Sequence, residues 1–279
     1  MKNILKIMLM MITIYTITGS AVYAAEIPVS DQDQLITSRD WTEISNLQDE
    51  MKKEEPDATI DYDKALKVYV DCNLIKLQTA DTKKLTSALE SANYVWVIPF
   101  KMEKTYGMFT VAKGLPLSEE AKSVLTKAEQ EEVKNHAGKW MITETAEHTV
   151  EPYYDILLEK REALSDCTRV VLVGSQPGMR QPVALGMDDE TARIWISLGY
   201  QYPVMEKIPE TQNVESGVYS FDSVAEISDT YIEDSEVSTG AGVQSRSSMK
   251  YVAGIGIIVI GSILIFSVLK KKKLEQSGE

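Results

Sequence analysis

Histidine and cysteine are scarce: His136, His148, Cys72 and Cys167 are the full complement in 279 residues. A zinc centre converges three or four such ligands at short regular spacings, and the chain carries neither paired-cysteine spacing nor a His-Glu-x-x-His run. No metal or other cofactor is expected. Two cysteines are also too few for a disulfide-rich small scaffold. Basic clusters are missing from the body of the chain, whose formal charge is −13. Phosphate recognition needs clustered Lys and Arg, so a nucleic-acid partner is not expected. Long apolar runs are absent too, except at the two ends.

Those ends dictate the layout. Tyr251 to Leu269 holds no charge and no proline, and Lys270-Lys-Lys-Lys273 follows directly. About 19 residues at about 1.5 Å each span about 28 Å, close to the ~30 Å hydrocarbon core of a bilayer. At the other end, Met1 to Lys6 is short and basic, Ile7 to Thr18 is apolar, and Gly19 to Ala24 is small-residue-rich. That order is the pattern of a secretory signal peptide, with Val22 and Ala24 ahead of the cleavage point. The expected organisation is a signal peptide over 1–24, an extracellular domain over 25–210 and a stalk over 211–250. A transmembrane helix over 251–269 and a basic cytoplasmic tail over 270–279 complete it. The lysines after the span favour an inside tail. The span and tail resemble the second half of a sortase sorting signal. However, Glu236-Val-Ser-Thr-Gly240 lacks the Leu and Pro of that motif and lies too early, so a retained anchor is expected.

Between the ends, helical and strand patterns alternate. Trp41, Ile44, Leu47 and Met51 share a helical face, and Leu66, Val68, Val70 and Cys72 alternate as in a half-buried strand. Asp81 can cap a helix carrying Leu85 and Leu89. Tyr94–Phe100 and Tyr106–Val111 read as a hairpin, with Pro99 suggesting an edge or a strand end. One helix is expected from Ser118 to near Gly138 and another from Tyr153 to Leu164. Strands are expected near Trp140–Ala146, Arg169–Gly174 and Thr191–Leu198. The 94–111 hairpin leaves no room for a crossover helix. The expectation is therefore α+β, a mainly antiparallel or mixed sheet with helices packed on it, plus the C-terminal transmembrane helix. From Thr211 the composition turns acidic and Ser-rich, with seven acids against Arg246 alone up to Met249. That reads as a solvated, disordered stalk.

Candidate chemistry is sparse. An oxidising compartment would let Cys72 and Cys167 form a disulfide, closing a loop of roughly 95 residues for about 4–5 kcal/mol; two buried thiols are the alternative. His148 and Glu144 fall on one face of a strand and form the nearest thing to a base–carboxylate pair. Ser175 sits in Gly174-Ser-Gln-Pro-Gly178 after a strand, but the nucleophile elbow needs Gly-x-Ser-x-Gly and a following helix. Asp188-Asp-Glu190 lacks the ligand alternation of a calcium loop. Tyr153, Tyr154 and Trp195 are aromatics of the kind that contact surfaces use.

Together these features point to a membrane-anchored surface module that presents its domain to an extracellular protein, peptide or glycan. The alternative is a surface hydrolase with dispersed active-site residues. A third reading, a subunit that contacts partners through the anchor, draws on Gly254, Gly256 and Gly261, although Gly-x-x-x-Gly spacing is absent.

Overall fold

A computed structural model describes residues 27–148, 151–174, 176–177, 179, 181–200, 202, 204–208 and 213–228. In chain order, helix α1 (Trp41–Ile44) runs through a 3-10 turn into α2 (Gln48–Glu54). Strands β1 (Thr59–Ile60) and β2 (Leu66–Tyr69) follow, then helix α3 (Thr82–Ser91). The hairpin β3 (Tyr94–Lys101) and β4 (Tyr106–Lys113) leads to α4 (Glu119–Val124), α5 (Lys127–His136) and β5 (Trp140–His148). Helix α6 (Tyr153–Glu159) precedes β6 (Arg169–Val173), β7 (Val183–Met187) and β8 (Ala192–Ser197). The hairpin β9 (Asn213–Glu215) and β10 (Val218–Ser220) ends in helix α7, 221–228.

All ten strands form one mixed sheet in the order β5-β4-β3-β2-β6-β7-β8-β10-β9, with β1 beside β3. Every strand ladder is antiparallel except β2–β6, where Val68 faces Leu172 and Tyr69 faces Val173. The α+β expectation with a mixed sheet is met. Helices cover both faces rather than one, because the central strands are apolar on both sides. In β6, Val171 and Val173 pack with Leu85 and Leu89 of α3, while Val170 and Leu172 pack with Tyr153 and Leu157 of α6. Helices α1 and α2 bury Ile44 and Met51 against Trp96, Phe100 and Phe109.

Several local expectations hold and others shift. Asp81 caps α3 by accepting from the backbone N–H groups of Lys83 and Lys84. The single helix expected over 118–138 is two, because Leu125 turns to an extended backbone and Thr126 opens α5 with a capping box to Glu129. Pro99 sits inside β3, not at an edge. Its missing N–H falls where β2 has ended and β1 has not begun, and its carbonyl still accepts from the Asp61 N–H. Strand β7 arises in a stretch expected to be a loop: all five of its residues are buried, so no alternation marks it.

Two larger expectations are corrected. Cys72 and Cys167 are free and buried. Cys72 lies in the cluster with Leu74 and Trp195, and Cys167 lies with Leu164 and Ile194 on the opposite face of the sheet. Burial pushes the Cys72 thiol up to about 12 and the Cys167 thiol up to about 11, which keeps both protonated. The domain also does not end at 210. Strand β10 pairs with β8 from Val218–Ile196 to Ser220–Ile194, and Gly217 makes the β9–β10 turn at φ +75°. Asp222 and Glu226 are exposed, while Phe221 and Val224 are buried.

The expected signal peptide, the rest of the stalk from 229, the transmembrane helix and the tail lie outside the described residues. Among the described residues no helix is long and apolar enough to cross a membrane.

Phe221 stacks on Trp195 with ring centroids 5.7 Å apart and an interplanar angle of 12°. Replacing Phe221 by Ala should lower unfolding stability by about 3 kcal/mol in a denaturant titration. No change would mean that the 213–228 segment is detached from the core.

Candidate functional site

Beyond the carboxyl end of β2 the chain makes a long, hydrogen-bonded loop, and its far side forms one wall of a cleft. The Asp71 carboxylate accepts from both the backbone and side-chain amides of Asn93, each at 2.6 Å. Gln176 is buried and fully used: its carbonyl accepts from Leu74 N–H at 3.0 Å, and its amide donates to the carbonyls of Cys72 and Gly174. A 3-10 turn, Ile75–Leu77, follows, and Gln78 then takes a left-handed backbone at φ +48°, ψ +41°. It has the only positive φ among the described non-glycine residues. A left-handed non-glycine residue of this kind costs of order 1 kcal/mol and persists where its surroundings hold it. Here the Gln78 N–H donates to Ile75, and the Ala80 carbonyl accepts from Ala192 at 2.7 Å.

Helix α7 forms the facing wall. The Ser220 hydroxyl accepts from the Ser223 N–H at 3.1 Å and so caps the helix start. Phe221, Val224 and Ser228 turn inward, and Asp222, which is exposed, turns outward. Between the walls lies a cleft of about 390 Å³ lined by Ile75, Gln78, Thr79, Ala80, Phe221, Asp222, Ala225 and Glu226. The lining mixes the apolar Ile75, Ala80, Phe221 and Ala225 with two carboxylates, an amide and a hydroxyl. Behind Phe221, the buried Trp195 indole N–H has no hydrogen-bond partner. Such a lining suits an aliphatic group bearing a cation or several N–H donors. It contains no imidazole, thiol or amine that would serve as a base or strong nucleophile.

A second polar constellation lies on the same face and is largely buried. Lys67 is 8% exposed and Asp33 is 2% exposed, with Lys67 Nζ 3.4 Å from Asp33 Oδ1. Arg169 Nη2 reaches Asp33 Oδ2 at 3.0 Å, and the Ser30 and Tyr69 hydroxyls donate to the same carboxylate at 2.7 and 2.8 Å. Lys67 also donates to the Gln32 carbonyl and lies over the rings of Tyr94 (4.7 Å), Trp96 (5.3 Å) and Tyr69 (5.8 Å). Nearby, Asp40 accepts from the Tyr94 hydroxyl at 2.8 Å and the Trp96 indole at 3.1 Å.

Both partners are shifted downward, which favours the charged form of Asp33 and disfavours that of Lys67. Burial alone would raise the Asp33 carboxyl, but Ser30, Arg169 and Lys67 together hold it below the usual range. Burial pushes Lys67 down and outweighs the carboxylates near it. The geometry is that of a clamped ion pair, buried at Asp33 and Lys67 and partly exposed at Arg169.

The sequence candidates do not converge on one site. Glu144 is exposed and holds a long 3.4 Å bond from the Thr110 hydroxyl. His148 pairs with Tyr106 in β5, and its side chain lies outside the described atoms. Tyr153 is buried, and burial followed by the nearby Tyr200, Tyr202 and Glu144 raises its phenol. Tyr154 is half-buried against the α6 cluster. Trp195 is fully buried rather than a surface aromatic. Ser175 lies outside the described residues. Asp188 closes the β7–β8 turn by accepting from the Glu190 and Thr191 N–H groups, and no cluster of metal-ligating side chains occurs among the described residues. The cleft itself escaped sequence reasoning, since its walls lie about 145 positions apart; only the Phe221, Val224, Ser228 spacing hinted at α7.

No protein-family model, no curated protein and no solved structure matches this chain.

A depressed Asp33 pKa contributes stability above the unfolded value near 3.9, and that stability is lost as pH falls through the lower folded value. Stability should therefore drop on acidification below about pH 4. Asp33→Asn should flatten that acid limb and cost about 3–5 kcal/mol at neutral pH by stranding Lys67 and Arg169. An unchanged acid limb in urea titrations across pH would remove the clamp from the account.

Proposed function

We propose that this chain is a membrane-anchored surface module. Its extracellular domain takes up an extended segment of a protein or peptide in the cleft between 75–80 and α7. The observation that carries the reading is the lining: Ile75, Ala80, Phe221 and Ala225 rimmed by Asp222 and Glu226, with no imidazole, thiol or amine among them. That chemistry favours an aliphatic residue next to a lysine or arginine over a neutral glycan. The signal-like amino end, the apolar run over 251–269 and the lysines after it support the surface location. Helix α7 leads directly into the acidic stretch before that run, so the cleft would lie on the membrane side of the domain.

The hydrolase reading is the alternative, and the Glu144 and Tyr153 neighbourhood is where it would be sought. It is weaker because Tyr153 is held protonated by burial.

An array of peptides pairing Lys or Arg with Leu, Ile or Val, presented to the full-length chain in nanodiscs, tests the proposal. Binding to wild type should fall about tenfold or more in Asp222→Lys. Lys83→Ala, a change on the exposed side of α3, should leave it unchanged, and both variants should melt like wild type. No bound peptide, or equal binding by Asp222→Lys, would contradict the cleft assignment.

A further inference from the structure

Between β4 and β5 the chain leaves the sheet for 26 residues, where a short turn would join two adjacent antiparallel strands. None of the described side chains from Lys113 to Lys139 is buried. Leu115 is 49% exposed and Val124 is 78% exposed. No described side chain of this segment is fully buried, although Leu117, Leu125 and Val133 are half-buried, and its regular structure is built with care. Ser118 caps α4, and a capping box opens α5. Lys122–Glu119 and Lys134–Glu131 pair along the helices at i,i+3. The base is clasped: Gly114 N–H donates to Lys139 at 2.9 Å, and Gly138 N–H donates back to Gly114 at 2.8 Å. Position 114 accepts only glycine, since a Cβ there would lie 2.1 Å from the His136 carbonyl oxygen.

Charge identifies what this arm meets. From 113 to 139 it holds five lysines (113, 122, 127, 134, 139) and five glutamates (119, 120, 129, 131, 132), a net charge of zero. The whole chain is −13. Setting aside the two lysines before residue 7, the four lysines after 269 and the two glutamates of the tail leaves residues 25–269 at −17. The arm contributes none of that. Elsewhere two copies of this chain repel, whereas interleaved lysines and glutamates on two facing arms complement each other in a twofold contact. A strongly basic partner would find better company on the acidic remainder, and an acidic one would find no excess of cations here.

We propose that the α4–α5 arm is a homotypic interface, through which two copies of this chain pair by apposing Leu115, Val124 and the alternating charges of their helices. The inference rests on the arm alone and does not need the cleft.

The test uses the full-length chain in detergent micelles, with mass measured by light scattering. Wild type should be dimeric. Lys122, Lys127 and Lys134 all changed to Glu, or Glu119, Glu131 and Glu132 all changed to Lys, should each weaken self-association about tenfold or more. Mixing the two variants should restore a heterodimer. Joining Gly114 directly to Gly138 leaves a three-residue loop between the paired Lys113 and Trp140; this chain should be monomeric and melt like wild type. A monomeric wild type overturns the proposal. So does a dimer that survives loss of the arm, which would place association elsewhere, such as the 251–269 run. Variants that fail singly and also fail when mixed overturn the charge-pairing geometry.

Discussion

The structure depends on how it buries one cation. Lys67 projects from a central strand into the face where the α3 side of the core meets the α1–α2 side, and it is held there by Asp33 and by three aromatic rings. A lysine at that depth is costly unless paired and hydrogen-bonded. Asp33 supplies the countercharge and is itself saturated by Ser30, Tyr69 and Arg169. The carboxylate thereby ties the amino-terminal segment to β2 and β6 at once. That tie fixes the parallel β2–β6 pair at the middle of an otherwise antiparallel sheet. The loop beyond β2, and with it one wall of the cleft, takes its position from that pair.

On the proposed reading, stability and recognition are separated on one face of the sheet. The charged network is largely buried and satisfied, with the Arg169 Nε as an exception among its donors. The cleft is open, its carboxylates lie at the rim, and it contains a left-handed Gln78 held by neighbouring backbone hydrogen bonds.

What the sequence disclosed follows from what is local. The caps at Asp81 and Ser118 carry capping signals, and the 94–111 hairpin and the strands at 169 and 192 are short runs rich in β-branched and aromatic residues. Strand β7 was hidden because burial on both faces erases alternation. Helix α7 was hidden because its buried Phe221, Val224 and Ser228 are diluted among acids that solvate its outer side. The Lys67–Asp33–Arg169 clamp and the two-walled cleft are long-range, joining positions 34 to more than 140 residues apart, and no local pattern encodes such pairs. The cysteines misled for the same reason: an even count says nothing about which face of a sheet each occupies.

Hydrogen exchange on the full-length chain in nanodiscs, with and without a saturating peptide that pairs lysine with an aliphatic residue, tests the central claim most directly. The account predicts slowed exchange confined to amides 75–80 and 221–228. Protection centred on β5 or the Tyr153 neighbourhood, or none anywhere, would contradict it.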